Sequence, residues 1–177
     1  MIKMIPVIAF ALIASSCVSA EKNMPTAESP HATNSHIVKE TTNYKSTENG
    51  LITLESHHSV KVTADRFESI AKNKGLTLFG RIDHQKNAAG VDLKLRPTEV
   101  IIFGNPKVGT PLMQSAQTVA IDLPQKVLIS EDAEGVVRLT YNNPEYLKAR
   151  HNIEGCDKAI NNISMLISKL STAATSK

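Results

Sequence analysis

The residues whose types and spacing could do chemistry stand together in the stretch Gly104-Asn105-Pro106-Lys107-Val108-Gly109-Thr110. The apolar run Val100-Ile101-Ile102-Phe103 before it reads as a strand buried on both faces, and a helix is expected from Gly109 or Thr110 to Ala116. A strand that turns hard into a helix presents backbone N–H groups to a negative ligand. Lys107 would add charge, Asn105 and Thr110 hydrogen-bonding groups, and the glycines close backbone approach. The glycine spacing is that of a P-loop, but the required lysine is missing, because Thr110 follows Gly109 directly. The expected ligand is therefore small and polar or anionic rather than a hydrolysed nucleotide. Asn105, Lys107, Gly109 and Thr110 are its expected contacts, with His84, Arg96 and Glu99 as further candidates.

Acid–base chemistry offers an alternative. Asp83, His84, Glu99, Lys107 and Asp122 all fall near strand ends or turns, where side chains from different strands converge. Asp83 and His84 are chain neighbours and would point to opposite faces of a strand, so a hydrolase-type enzyme would use His84 with Glu99. No nucleophile elbow accompanies them. The tandem His57-His58 cannot chelate from one face, and His84, His151 and Cys156 show no ligand spacing, so neither a metal nor a cofactor is expected. Arg96 beside Glu99, and Arg150 near Asp122, read as internal ion pairs.

The whole chain narrows these classes. Its formal net charge is +3, tryptophan is absent and aromatic residues make up 4%, so the basic surface and stacking platforms of nucleic-acid binders are missing. The first residues read as an export signal, with Lys3 ahead of an apolar run from Ile5 to Ala14 that falls short of the roughly 20 residues a membrane crossing needs. Cleavage after Ala20 competes with a lipobox reading, Ala14-Ser15-Ser16-Cys17, in which Cys17 would carry a lipid anchor. Either route leads out of a bacterial cytoplasm into the periplasm, soluble or lipid-anchored. Cys156 is then without an intrachain disulfide partner and is expected to be buried as a small hydrophobe. From Glu21 to Gly50 the composition is polar and without apolar periodicity, the signature of a flexible tether.

The folded domain is expected over residues 51–152. Strands are read at Leu51 to Ser56, Thr77 to Asp83, Val91 to Leu95, Val100 to Phe103, Lys126 to Ser130 and Val137 to Tyr141, the last two joined at Glu134-Gly135. Helices are read from an N-cap at Thr63 to Gly75, from Thr110 to Ala116 and from Glu145 to His151. Ile153, Cys156, Ile160, Ile163, Ile167 and Leu170 then form a short heptad seam, followed by a disordered end. The expected use of that seam is docking on its own domain; the alternative is an envelope scaffold that self-associates into a homodimer or docks a partner.

The words RIDH at Arg81 to His84, LRPTEVIIFGNPKVGTPLM from Leu95, IDLPQKVL from Ile121 and YNNPEYLKARH from Tyr141 resemble the bacterial domain-of-unknown-function family 302. The resemblance implies an α+β fold, a mostly antiparallel sheet with helices packed on one face, similar to the TATA-binding-protein type of architecture. It implies no activity, and on this reading the family's block ends near His151, leaving the C-terminal helix as an addition. An exported, non-enzymatic domain binding a small ligand or an envelope protein at residues 104–110 is the resulting expectation.

Overall fold

Strictly alternating segments pair into one sheet in the computed structural model, which describes residues 44–46 and 48–177. The expected export signal, Cys17 and most of the expected tether lie outside the described residues. The elements are β1 (Tyr44–Ser46), β2 (Leu51–Glu55), α1 (Val60–Asn73), β3 (Thr77–Asp83), α2 (His84–Ala89) and β4 (Thr98–Gly104). They continue with α3 (Pro106–Ser115), a 3-10 turn (Gln117–Ile121), β5 (Gln125–Glu131), β6 (Val137–Asn142), α4 (Pro144–His151) and α5 (Asp157–Thr175). The strand order is β1-β2-β6-β5-β4-β3, antiparallel throughout. The fold is α+β, as the sequence implied. One correction falls at its start: Tyr44 to Ser46, inside the expected tether, pair with β2.

One face of the sheet is covered. Leu54, Leu139, Ile129, Val127, Ile101 and Phe103 point inward from successive strands and meet Phe67 and Ala71 of α1 and Ile167, Leu170 and Ala174 of α5. The Phe67 and Phe103 rings meet edge-on with centroids 5.0 Å apart, the arrangement their quadrupoles favour. Val100 and Ile102 on the opposite face of β4 are only half-buried, so β4 is not buried on both faces as expected; the sheet is open behind it.

Helix starts differ from expectation for a local reason each time. α1 begins at Val60 because the Ser59 hydroxyl accepts from Val62 N. Thr63, the expected cap, lies fully buried inside the helix, where its hydroxyl donates to Ser59 O at 2.9 Å and bonds the Ser56 hydroxyl at 2.7 Å. Gly75 follows the helix at φ 72, as read. After β3, Asp83 caps α2 through Lys86 N, so His84 opens a helix rather than a loop. The strand expected at Val91 to Leu95 does not form. Asp92 sits at φ 57, which breaks an extended run, and Val91, Leu93 and Leu95 stay exposed at 66%, 66% and 44%.

The heptad seam of α5 is spent inside the chain. Its C-terminal half joins the main core, while Ile153, Cys156 and Ile160 form a second cluster with Leu112 and Val119. Ile163 touches both clusters. Arg66 of α1 fixes the end of α5 by donating to the carbonyls of Ala174, Ala173 and Ser176 at 3.0, 2.9 and 3.0 Å, satisfying acceptors that a helix end leaves open. Ile153, Cys156, Ile160, Ile167 and Leu170 of the seam are thereby buried within the chain, in keeping with docking on its own domain. Cys156 is buried, as expected.

Candidate functional site

The β4–α3 junction is where the structure departs most from the expected anion site. α3 starts at Pro106, a turn earlier than read, because Asn105 caps it and proline suits the first helical position. Pro106 has no N–H; Lys107 N donates to Asn105 Oδ1 at 3.0 Å, and Val108 N and Gly109 N donate to Asn105 O at 2.9 and 3.0 Å. Every backbone donor of the first turn is therefore engaged, and the convergent N–H groups an anion would need are not on offer.

A cavity nonetheless opens beneath the junction. It has a volume of about 220 Å³ and runs between α3, the end of β4, the Leu123-Pro124 segment and the middle of α5. Phe103, Val108, Met113, Leu123, Ile163 and Ile167 are among the apolar residues of its wall. Exposed Phe79, Pro106 and Thr110 form its rim. No charged side chain lines it. Of the expected contacts, Asn105, Gly109 and Thr110 border the cavity, while Lys107 is exposed and outside its lining.

The remaining candidates lie elsewhere. Arg96 donates to Glu131 O at 3.1 Å instead of pairing with Glu99. Glu99 is taken by Arg81, whose Nε stands 2.5 Å from its carboxylate, and the His84 side chain makes no hydrogen bond or ion pair among the described residues. The His84–Glu99 couple of an acid–base site is thus not assembled. Arg81 also reaches Asp65 at 2.6 Å and Glu68 at 3.2 Å. Hydrogen bonds from Lys61 and Arg81 hold the Asp65 carboxyl below its ordinary range, those from Lys72 and Arg81 do the same for Glu68, and Glu99 raises the Arg81 guanidinium. This cluster borders an open hollow of about 550 Å³ that includes Lys61, Asp83, Lys86 and Glu131.

The expected pairing of Arg150 with Asp122 is present at 3.4 Å. Asp122 also meets His151 Nε2 at 2.6 Å, and His151 Nδ1 meets the Thr118 hydroxyl at 3.1 Å. A hydroxyl, an imidazole and a carboxylate in a row have the chemical order of a nucleophilic array. Here Arg150 shares the carboxylate, and none of the three lines the cavity, so the row serves to tie α4 to the 3-10 turn. Among the described residues, no group of three metal-ligating side chains comes together.

One residue bordering the cavity escaped the sequence reading. Gln125 opens β5 and points inward with Val127 and Ile129, buried at 7% exposure. The signal was a polar residue in the apolar phase of Gln125-Lys126-Val127-Leu128-Ile129.

Comparison with known proteins places this architecture. Proteins named fluoride-specific ion channel FluC 1 from Brucella suis biovar 1 and from Brucella abortus biovar 1 are each 47% identical over 106 residues. The match takes in 60% of this chain but only 42% and 39% of those proteins, so the chain spans less than half of their length. No helix among the described residues is long and apolar enough to cross a membrane. The crystal structure of an uncharacterized conserved DUF302 protein from Bacillus stearothermophilus superposes with a TM-score of 0.57 at 19% identity, covering 71% of this chain and 95% of that one. That likeness shows the fold. The profile of the domain of unknown function DUF302 matches residues 52–170, past His151 and through most of α5, and the chain belongs to that family.

Proposed function

We propose that this protein is exported from the bacterial cytoplasm and that its domain binds a small, largely apolar molecule in the cavity under α3. The observation that carries the binding reading is the wall itself: about 220 Å³ of space bounded by hydrocarbon, with no charged side chain facing it. An engineered apolar cavity of about 150 Å³ stays dry and takes up benzene, so the space here suits one ring with a short substituent. An anion would lose its hydration there and meet no cation, and the backbone N–H groups of the first turn of α3 are already engaged. Export rests on the Lys3 and Ile5-to-Ala14 pattern of the sequence.

Thermal unfolding with added benzene tests the binding reading. Wild type and Lys107→Ala should both gain several degrees, because Lys107 lies outside the lining. Gly109→Leu should gain little: a Cβ at Gly109 stands 3.8 Å from Leu123 Cδ1, and the rest of the side chain would occupy the cavity. Loss of the shift in Lys107→Ala, with inorganic phosphate stabilising wild type instead, would return the site to the anion reading.

A further inference from the structure

Six polar residues are buried in the described part of the chain: Ser56, Thr63, Glu99, Gln125, Ser171 and Thr175. Four are satisfied within the fold. Ser56 and Thr63 bond each other, Glu99 meets Arg81, and the Thr175 hydroxyl donates to Ser171 O. The Ser171 hydroxyl has no partner but borders no described cavity. Gln125 alone combines burial, a side chain without a hydrogen-bond partner among the described residues, and a place in the cavity lining. Unlike the Ser164 and Ser171 hydroxyls, its carboxamide atoms are not fully enclosed, so a molecule in the cavity can reach them.

Its surroundings define what would satisfy it. Gln125 stands opposite Phe103 in the β4–β5 register, at the sheet floor of the cavity. Asn105, the other carboxamide in the lining, already spends its oxygen on Lys107 N. The nearest ammonium in sequence, Lys126, lies on the other face of β5 and is tied to the carbonyls of Asp122 and Pro124 at 3.1 Å each. A carboxamide offers a donor and an acceptor without charge. It suits a neutral head that does the same, a hydroxyl or an amide, and gives a carboxylate no compensating cation.

We infer that Gln125 is the polar anchor of the cavity and that its ligand is a neutral amphiphile: one ring or a short chain carrying one uncharged hydrogen-bonding head. This rests on the binding reading above and adds the head group to it. The head lies against the sheet with its hydrogen bond to the Gln125 carboxamide, and the apolar body extends between Met113, Leu123 and Ile163 toward the rim.

The test is calorimetric titration of the full chain with toluene and p-cresol, which differ by one hydroxyl. Wild type should bind p-cresol about tenfold tighter than toluene, the size of effect one buried hydrogen bond gives. In Gln125→Leu that preference should vanish while toluene still binds. Gln125→Met provides a second apolar replacement, and both variants should melt close to the wild-type temperature, because the fold gives the carboxamide no partner to lose. Equal p-cresol affinity in wild type and both variants would overturn the anchor and leave the cavity reading standing. A clear drop in melting temperature in both would also overturn it, showing that the fold itself uses the carboxamide. Failure of wild type to bind either probe would overturn the cavity reading and the anchor together.

Discussion

Arg81 gathers carboxylates from two other elements: Asp65 and Glu68 of α1 and Glu99 of β4. Glu99 is the buried member, at 8% exposure, so removing its partner strands a charge under α1. Arg81→Met should lower stability at neutral pH by about 3 kcal/mol. The Asp65 and Glu68 pKa values are lowered in the folded state, so their contribution is complete above the ordinary carboxylate range and fades as pH falls below it. Urea midpoints of wild type and Arg81→Met should therefore converge as pH drops from about 6 toward 3; a constant gap would remove the carboxylates from the account. This hub was invisible in the sequence for a geometric reason. Arg96 sits three positions from Glu99 in the chain, and pairing them was natural, but Arg81 reaches Glu99 across the β3–β4 ladder, in which Asp83 and Glu99 are opposed. Register decides such pairs, and register is a property of two strands. The expected pair of Arg150 and Asp122 is present, with His151 sharing the same carboxylate.

Elements with a strong local period were readable, and their ends were not. β3 and α4 match expectation to within a residue, whereas α1 and α3 each begin a few residues early because Ser59 and Asn105 cap them ahead of the expected starts. Val91 to Leu95 alternates as a strand should, yet β3 already occupies the adjoining sheet edge and Asp92 turns left-handed. Alternation without a partner strand does not make one. For α5 the seam was legible and its partner is the chain's own core. A chain ending at residue 152 would leave Phe67, Ile101 and Val127 without the Ile167, Leu170 and Ala174 that cover them. It should lose cooperative urea unfolding and fixed near-ultraviolet circular dichroism. A soluble monomer retaining both would instead restore α5 as an appendage free to associate.

At the scale of the whole molecule, two apolar clusters share α5 and stop short of merging, with Ile163 as the bridge between them. The fold class followed from the count and order of strands and from the family words, but the cavity could not, since it arises from the spacing of α3, α5 and the end of the sheet. A space of about 220 Å³ that no side chain fills also has a mechanical meaning. Unfolding eliminates internal voids and shrinks the system, so compression favours the unfolded chain in proportion to the space it recovers. This domain should therefore yield to hydrostatic pressure more readily than its Gly109→Leu form, as read by fluorescence or NMR under compression, and a bound occupant should stiffen it in the same way. Its softest direction is inward, at the gap between the sheet and α3, where a guest molecule would act as a keystone.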